Sequence, residues 1–225
     1  MSDSDNESAE TQLKIVIVGE PGSGKTSLAS RYCHGEFSRQ YYPTAGVDFF
    51  LNRTVLSGGR NVTLQIWDVG GQALVGNMLD KYVFGANIVF LVYDVTNLIS
   101  FENLETWLNA VRAITASQHK KPGIILVGNK CDLEHQRAVR HDRQNKFIQE
   151  NGLPFHLVSA RTGENVPLCF QKTISEVLGV RLTRAEQEQQ QPVMKAEIVA
   201  SAAPEAPSPR PAPTVQSRSS VCSIQ

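Results

Sequence analysis

The chain has 225 residues, 41% of them hydrophobic, and its 22 basic side chains balance 22 acidic ones. This length predicts one globular domain with a substantial core, and the neutral net charge gives no reason to expect nucleic acid as a partner. Four widely spaced cysteines indicate a reducing compartment rather than a disulfide framework. The first residues lack the apolar stretch of a signal peptide, so we expect a cytoplasmic protein.

The two ends of the chain differ in composition from its middle. Residues 1–11 are acidic and polar, and we expect them to form a disordered lead. Six of the 11 prolines fall between Pro192 and Pro213, and no aromatic residue follows Phe170. Residues 181–225 are therefore predicted to be a disordered tail. The folded domain should occupy residues 12–180.

Short β-branched runs alternate with helical patterns in this domain. The predicted strands are 13–19, 47–56, 62–69, 88–95, 124–130 and 154–160. The sequence SGGRN between the second and third predicted strands is typical of a hairpin turn, so these two strands should pair antiparallel. Apolar spacing predicts helices over 25–33, 100–116, 137–150 and 166–178, with Ser100 as an N-cap. The pattern indicates a doubly wound α/β fold whose ligand crevice lies beyond the carboxyl ends of the strands.

A phosphate-binding motif follows the first predicted strand and precedes the first helix. The motif GxxxxGK[ST] is matched by Gly19, Glu20, Pro21, Gly22, Ser23, Gly24, Lys25 and Thr26, and Ser27 follows it. The glycines let backbone N–H groups face phosphate oxygens, Lys25 reaches the β and γ phosphates, and Thr26 can ligate Mg²⁺. The alternative is a glycine turn with an incidental lysine, which the strand and helix context disfavours. We expect a P-loop NTPase fold with a six-stranded, mainly parallel sheet, one antiparallel edge strand and about five helices, in which residues 19–27 bind nucleotide.

The motif NKCD at the end of the fifth predicted strand favours guanine over adenine. Asp132 can accept hydrogen bonds from guanine N1–H and the 2-amino group, whereas adenine would leave the carboxylate unpaired. Asn129 should join this loop to the phosphate loop, and the stem of Lys130 can cover the ring. At the next strand end, Ser159 and Ala160 can present backbone N–H groups to guanine O6. The alternative for NKCD is an ordinary polar turn.

These motifs occur in the order typical of the Ras superfamily of small GTPases, which the chain resembles over residues 12–180. By that resemblance, Thr44 is the switch I threonine that reaches Mg²⁺ and the γ-phosphate. Gly71 senses the γ-phosphate, and Gln72 orients the attacking water. The resemblance implies that the catalytic residues are Lys25, Thr44, Gly71 and Gln72, and that Mg²⁺ is held by Thr26, Thr44 and, through water, Asp68.

The same resemblance implies roles for three further residues. Phe37 would pack on the edge of the guanine. Arg161 replaces the family's lysine after Ser-Ala, and its planar group can cover the base. Pro21 lies beside the γ-phosphate, removes a backbone N–H and fixes φ, so it should change the hydrolysis rate in either direction.

Two branches of the superfamily have features in this chain. WDVGGQ is similar to Arf proteins, but the chain begins Met-Ser where Arf proteins begin Met-Gly. YYPTAGVDFF and LVYDVT resemble Rab proteins, and Phe49, Trp67 and Tyr82 lie where Rabs carry the aromatic triad that effectors contact; the alternative is core filling. The chain therefore resembles a divergent, CaaX-ending member of the Rab family. That implies a monomeric GTP/GDP switch in membrane trafficking, served by an exchange factor, a GTPase-activating protein and effectors.

The last four residues, Cys-Ser-Ile-Gln, form a CaaX box. We expect a prenyl group on Cys222, and the final glutamine favours farnesyl over geranylgeranyl; the alternative is a free thiol. One lipid chain anchors weakly, so membrane association should be reversible and should need a prenyl-binding carrier or a membrane partner. We expect the protein in the cytoplasm and on the cytoplasmic face of membranes, and the Rab resemblance makes the cilium base a candidate.

Two other functions stay open at this point. The segment GGQALVG, residues 70–76, corresponds to switch II of the family and departs from the AGQERFR usual in Rabs. A guanine-nucleotide-binding scaffold with negligible hydrolysis would follow if Pro21 and this altered switch II weaken turnover. An ATP-using P-loop kinase or ATPase is disfavoured by NKCD.

Overall fold

The structure is a computed structural model that describes residues 11–56, 59–74 and 76–182. These residues lie within one compact unit, Met1–Val193, and a second unit, Met194–Gln225, lies outside them. The expectations for the acidic lead, for the tail beyond residue 182 and for Cys222 therefore fall outside the described residues. The first strand begins at Thr11, one residue before the predicted start of the domain.

Six strands form one sheet, as predicted. The strands are β1 (Thr11–Val18), β2 (Val47–Leu56), β3 (Arg60–Val69), β4 (Ile88–Asp94), β5 (Gly123–Asn129) and β6 (Phe155–Leu157). Their order is β2-β3-β1-β4-β5-β6, and only β2 and β3 pair antiparallel. The antiparallel edge strand is thus confirmed. The parallel strands all end at the same edge of the sheet, which is where nucleotide sites form in such folds.

The central strands of the sheet are buried on both faces. Alternate residues of β1 serve two separate clusters: Ile15 and Ile17 pack in one, Val16 and Val18 in the other. The first cluster also contains Leu28 of the first helix. Every residue of β4 is buried. Helices on both faces explain why the central strands are apolar throughout rather than alternating.

Six α-helices and one 3₁₀ helix occur in the described residues, against about five predicted. They are α1 (Lys25–His34), α2 (Leu79–Val83), α3 (Leu98–Glu102), α4 (Leu104–Thr115), the 3₁₀ helix (Cys131–Gln136), α5 (His141–Asn151) and α6 (Val166–Leu178). The short α2 and the 3₁₀ helix were not predicted from apolar spacing, because neither is long enough to show a clear helical period.

The predicted helix over 100–116 differs from the structure at its start. It begins at Leu98 and divides at Asn103 into α3 and α4. The prediction of Ser100 as the N-cap is wrong, because Asn97 Oδ1 accepts from the N–H groups of Ile99 and Ser100. The Ser100 hydroxyl is buried and donates to the Asn97 carbonyl oxygen at 2.7 Å instead.

The predicted helix over 137–150 begins four residues late, at His141. The backbone N–H groups of Ala138 and Val139 both donate to the Val95 carbonyl oxygen, and Val139 is fully buried. Residues 137–140 are therefore kept out of the helix by a tertiary contact, which local helical spacing cannot reveal.

Candidate nucleotide site

The phosphate loop, residues 19–24, joins β1 to α1 at the carboxyl edge of the sheet. Gly24 begins α1 in a left-handed conformation with φ of 88°. A Cβ on Gly24 would lie 2.3 Å from Asn129 Nδ2, and a Cβ on Gly19 would lie 2.1 Å from the Val92 carbonyl oxygen. Close packing therefore requires glycine at both positions, a reason additional to the one that the motif gave.

Lys25 extends back along this loop. Its Nζ donates to the carbonyl oxygens of Gly19 and Glu20, each at 2.9 Å. Burial lowers the pKa of Lys25 to about 8, against the opposing effects of the Asp68 and Glu20 carboxylates. An ammonium group that has lost its water in this way gains much from an anion beside it, which fits a phosphate.

Three oxygen-bearing side chains converge next to Lys25. Thr26 Oγ1 lies 3.0 Å from Thr44 Oγ1 and donates to Asp68 Oδ2 at 2.5 Å, and Thr44 Oγ1 donates to the same carboxylate oxygen at 3.3 Å. Asp68 Oδ1 is buried with no hydrogen-bond partner among the described residues. Burial raises the pKa of Asp68, and its bonds from Thr26 and the charge of Lys25 oppose that rise.

These residues fit Mg²⁺. The part of the chain that the structure describes contains no cluster of three His, Cys, Asp or Glu side chains, so no all-protein cage exists there. Mg²⁺ is usually bound by one or two carboxylates, with waters and substrate phosphates completing the shell. One carboxylate with an unpaired oxygen, flanked by two hydroxyls, is the donor set that such a site requires.

The two predicted switch segments meet beside the phosphate loop. The Gly70 N–H donates to the Gly46 carbonyl oxygen at 2.8 Å, and a Cβ on Gly70 would lie 2.4 Å from the Thr44 carbonyl oxygen. A Cβ on Gly71 would lie 2.4 Å from Pro21 N and 2.6 Å from its Cδ. Switch II is therefore packed directly on the proline ring, a contact that the sequence did not predict.

Gln72 follows this contact but points elsewhere. Its side chain is exposed, and it is not among the residues that line the cavity described below. To orient a water beside the γ-phosphate, Gln72 must rotate inward. This is the one predicted catalytic residue that lies outside the assembled site.

The loops after β5 and β6 are joined by the buried side chain of Asn129. Its Nδ2 donates to the Ser23 carbonyl oxygen at 2.9 Å, and its Oδ1 accepts from the Ala160 N–H at 3.0 Å. The predicted link from Asn129 to the phosphate loop is present. Asp132 accepts from Ser159 Oγ at 2.7 Å, and Arg161 Nη1 lies 3.8 Å from its other oxygen.

The backbone N–H groups proposed for guanine O6 already have acceptors. The Ser159 N–H donates to the Glu164 carbonyl oxygen at 3.0 Å, and the Ala160 N–H is occupied by Asn129 Oδ1. The Ser159 N–H is therefore not available to guanine O6, contrary to expectation. The Ala160 N–H could reach guanine O6 only if it were shared with Asn129 Oδ1. The Lys130 ammonium pairs with Asp94 at 2.7 Å.

A cavity of about 560 Å³ opens between these loops. Its size suits a nucleotide, since small-molecule sites are typically about 300–1,000 Å³. Its predicted lining residues are Pro21, Gly22, Gly24, Lys25, Thr26, Ser27, Phe37, Thr44, Gly71, Asn129, Lys130, Asp132, Ala160 and Arg161. Residues that were not predicted are Ser30, Ser38, Arg39, Gln40, Tyr41, Tyr42 and Leu133. Five of the predicted nucleotide- or metal-binding residues do not line the cavity and act through the contacts given above: Gly19, Glu20, Ser23, Asp68 and Ser159.

Arg31 and Asp94 are functional candidates that sequence analysis missed. Arg31 Nε donates to the Ala160 carbonyl oxygen at 2.8 Å, and its guanidinium lies 5.9 Å from the centre of the Phe37 ring. Arg31 therefore braces the loop after β6 from α1. Asp94 fixes Lys130, which has a left-handed φ of 68°. Both contacts join residues distant in sequence, so no local signal predicted them.

The three residues of the predicted aromatic surface do not line the cavity, and Phe49 lies on the edge strand β2. Phe49 is 58% exposed and packs edge-on against Trp67 with ring centres 4.6 Å apart. The Lys14 ammonium lies 3.7 Å from the centre of the Trp67 ring. Core filling is therefore excluded for Phe49. Tyr82 is half-buried on α2.

None of the helices in the described ranges is long and apolar enough to cross a membrane.

Comparison with known proteins gives the same assignment as the geometry. A protein-family model described as the Ras family matches residues 14–179. The Ras-related protein Rab-28 of Caenorhabditis elegans is 43% identical over 198 residues, covering 88% of this chain and 80% of the relative. Rab-13 of Bos taurus is 34% identical over 74% of this chain and 80% of the relative. RIC1 of Oryza sativa subsp. japonica is 36% identical over 73% of this chain and 80% of the relative. The chain is thus a Rab-type small GTPase of the Ras family.

Proposed function

We propose that this GTPase uses the cavity at the carboxyl edge of the sheet to bind GTP with Mg²⁺ and that it hydrolyses the β–γ bond there. The observation that carries the proposal is the convergence of the Thr26, Thr44 and Asp68 oxygens beside the Lys25 ammonium. Bound Mg²⁺ would supply electrostatic stabilisation of charge on the phosphate oxygens. The chain's own residues would bind the nucleotide, orient its phosphates and align the attacking water.

Each side chain has a task in this proposal. Lys25 neutralises charge on the β and γ phosphates, and its burial strengthens that interaction. Thr44 and Gly71 contact the γ-phosphate, so both switch segments are ordered by GTP and released after hydrolysis. Gln72 rotates in from its exposed position and aligns the attacking water.

The nucleobase would be selected by Asp132. Its carboxylate is held by Ser159 Oγ at 2.7 Å, so it can face guanine N1–H and the 2-amino group in a fixed orientation. Arg161 and the stem of Lys130 line the same end of the cavity and can cover the ring. Phe37 lines it as well and can meet the edge of the base.

Rab proteins act with regulators, effectors and membranes. For this chain we propose that effectors contact Phe49 and Trp67 when switch I is ordered, and that an exchange factor and a GTPase-activating protein control the two states. We also propose a prenyl group on Cys222 and delivery by a prenyl-binding carrier. If a Cys222→Ser variant were as membrane-associated in cell fractions as the natural chain, the lipid proposal would be wrong.

Single-turnover hydrolysis of bound GTP, with Mg²⁺ in excess, tests the catalytic proposal. The wild-type protein should turn over slowly, and Gln72→Leu should be slower by roughly ten- to hundredfold because the water is no longer aligned. Gln65→Leu is the matched control, since Gln65 is also exposed but lies on β3, where it accompanies Gln12 rather than the cavity. It should hydrolyse at the wild-type rate.

A second function is tested by the same assay. The exposed position of Gln72 and the packing of Gly71 on Pro21 favour a nucleotide-bound scaffold that turns over negligibly. If GTP stays bound to the wild-type protein and neither it nor Gln72→Leu hydrolyses measurably, the scaffold replaces the switch. If GTP does not bind, both proposals fail.

A further inference from the structure

A fully buried tryptophan on α4 reaches the phosphate loop. Trp107 has no exposed surface, and it lies in the apolar cluster that also contains Leu104 and Leu108. Its indole Nε1 donates to Glu20 Oε1 at 3.0 Å, across 87 residues of sequence. Neither hydrolysis nor base recognition, as proposed above, requires this contact.

The hydrogen bond has a clear physical cause. The indole ring offers a single N–H donor and no acceptor, and inside the core that donor needs a partner. Glu20 is half-buried and supplies a carboxylate oxygen. At 3.0 Å the contact has the usual length of an N–H···O hydrogen bond. The side chain of Glu20 is therefore held by the rigid interior of the protein.

Glu20 also shapes the phosphate loop through its backbone. Its carbonyl oxygen accepts from Lys25 Nζ at 2.9 Å and from the Ser23 N–H at 3.3 Å. If Glu20 shifts, the acceptor that orients the Lys25 ammonium shifts too. The contact from Trp107 thus extends through one residue to the cation that faces the phosphates.

The two halves of the loop are held by different elements, the first by Trp107 of α4 and the second by Asn129 at the end of β5. Asn129 binds the second half through the Ser23 carbonyl oxygen, as described above. Without Trp107, the first half would rest on the close packing of Gly19 against Val92, on the bonds from Lys25 and on the bond from the Ser23 N–H within the loop. Only the Trp107 contact holds Glu20 by its side chain among the hydrogen bonds of the described residues.

We propose that Trp107 is a positioning residue that fixes the first half of the phosphate loop through Glu20 and thereby slows the release of guanine nucleotide. This inference rests on the proposed function, since it requires nucleotide in the cavity. Trp107 itself does not touch the nucleotide. Its effect is on the geometry of the loop that does.

The release rate of a fluorescent GDP analogue from the full chain, with Mg²⁺ and excess unlabelled GDP, tests this proposal. Trp107→Phe keeps an aromatic ring but loses the donor, and Glu20→Ala loses the acceptor, so each should release nucleotide roughly 5- to 30-fold faster. Glu20→Gln keeps an acceptor oxygen and should restore most of the slow release. The double variant, Trp107→Phe with Glu20→Ala, should be no faster than the faster single variant, because both remove the same bond.

Tyr93→Phe is the matched control. It removes another buried hydrogen bond to a distant side chain, from Tyr93 Oη to Gln144 Oε1 at 2.8 Å. Thermal unfolding of every variant is measured alongside. Tyr93→Phe should lower the unfolding temperature and leave the release rate unchanged, since neither partner contacts the phosphate loop.

The outcomes distinguish a failure of the proposed function from a failure of the positioning role of Trp107. If the wild-type protein does not retain the GDP analogue, the proposed function itself fails. If it does, but Trp107→Phe and Glu20→Ala release at the wild-type rate, the positioning role is overturned. The role is also overturned if Tyr93→Phe accelerates release equally, if Glu20→Gln is as fast as Glu20→Ala, or if the two single effects multiply in the double variant.

Discussion

Replacing Gly71 with alanine would disturb the contact between switch II and the phosphate loop. The new Cβ would lie 2.4 Å from Pro21 N, whereas real Cβ atoms essentially never approach closer than 3.0 Å. The two backbones must therefore separate by at least about 0.6 Å, and the ring atoms Cδ and Cγ, at 2.6 and 2.7 Å, block the same direction. Neither obstacle is the far end of a flexible side chain.

The penalty should fall on the GTP-bound state. Overpacking of this kind typically costs about 1–3 kcal/mol, which corresponds to roughly 5- to 150-fold in an equilibrium constant. In the proposed switch, Gly71 lies beside the phosphate loop to contact the γ-phosphate, whereas switch II is released from it when GDP is bound. We expect the ratio of GTP to GDP affinity to fall by that factor. Dissociation constants for GDP and for a non-hydrolysable GTP analogue, measured with Mg²⁺, give the ratio directly.

Gly76→Ala is the control for this prediction. Gly76 belongs to the same segment, but the nearest atom to its added Cβ would be the Ala73 carbonyl oxygen at 3.8 Å, an ordinary contact. Its affinity ratio should match the wild-type ratio. A Gly71→Ala variant with an unchanged ratio, or an equal loss in both variants, would refute the role assigned to the contact with Pro21.

Three other predictions concern the base, the pH dependence of stability and a helix end. Asp132→Asn should exchange guanine for xanthine, whose O2 accepts from the new amide where guanine has an amino group, by about 10⁴-fold in relative affinity; competition between GDP and xanthosine diphosphate measures this, and retained guanine preference would contradict it. Burial, together with the charge of Lys172, lowers the pKa of His156 from its ordinary 6.5. The unfolded chain therefore binds that proton more readily, and the contribution of His156 to stability is complete above the ordinary pKa and is lost as the pH falls through it. His156→Gln should reduce the slope of unfolding free energy against pH in that window, as measured by urea denaturation; parallel curves would exclude the effect. Asn97→Ala removes the acceptor at the start of α3 and should cost about 1 kcal/mol of unfolding free energy, and no change in the urea midpoint would mean that the cap is not needed.

The sheet and the phosphate loop followed from the sequence because their signals are local. Apolar β-branched runs mark the strands, and the glycine-rich motif between a strand and a helix fixes both the loop and its place at the sheet edge. The position of NKCD after an apolar run placed Asp132 at the end of the fifth strand in the same way. Functional roles for Thr44, Gly71 and Gln72 needed the family resemblance, since nothing in their own spacing specifies chemistry.

The errors arose where a distant contact overrides local preference. Asn97 and Ser100 are both good cap residues, and the choice between them depends on burial of the serine hydroxyl, which accepts from the Asp94 N–H at the end of β4. Residues 137–140 resemble helix until Val139 is seen to enter the core. Trp107 lies within the helix predicted over 100–116 from apolar spacing, but only the folded chain brings Glu20 to its indole N–H.

The side chain of Asn129 has a consequence for how the site comes into being. It links the Ser23 carbonyl, 106 residues earlier, to the Ala160 N–H, 31 residues later. This one amide therefore joins the phosphate loop, the loop after β5 and the loop after β6, which are synthesised at widely separated times. On the ribosome, the phosphate motif emerges long before its partners and cannot yet be braced by them. The cavity becomes complete only after the loop that follows β6 has left the exit tunnel, so an unfinished chain should not capture nucleotide in this way.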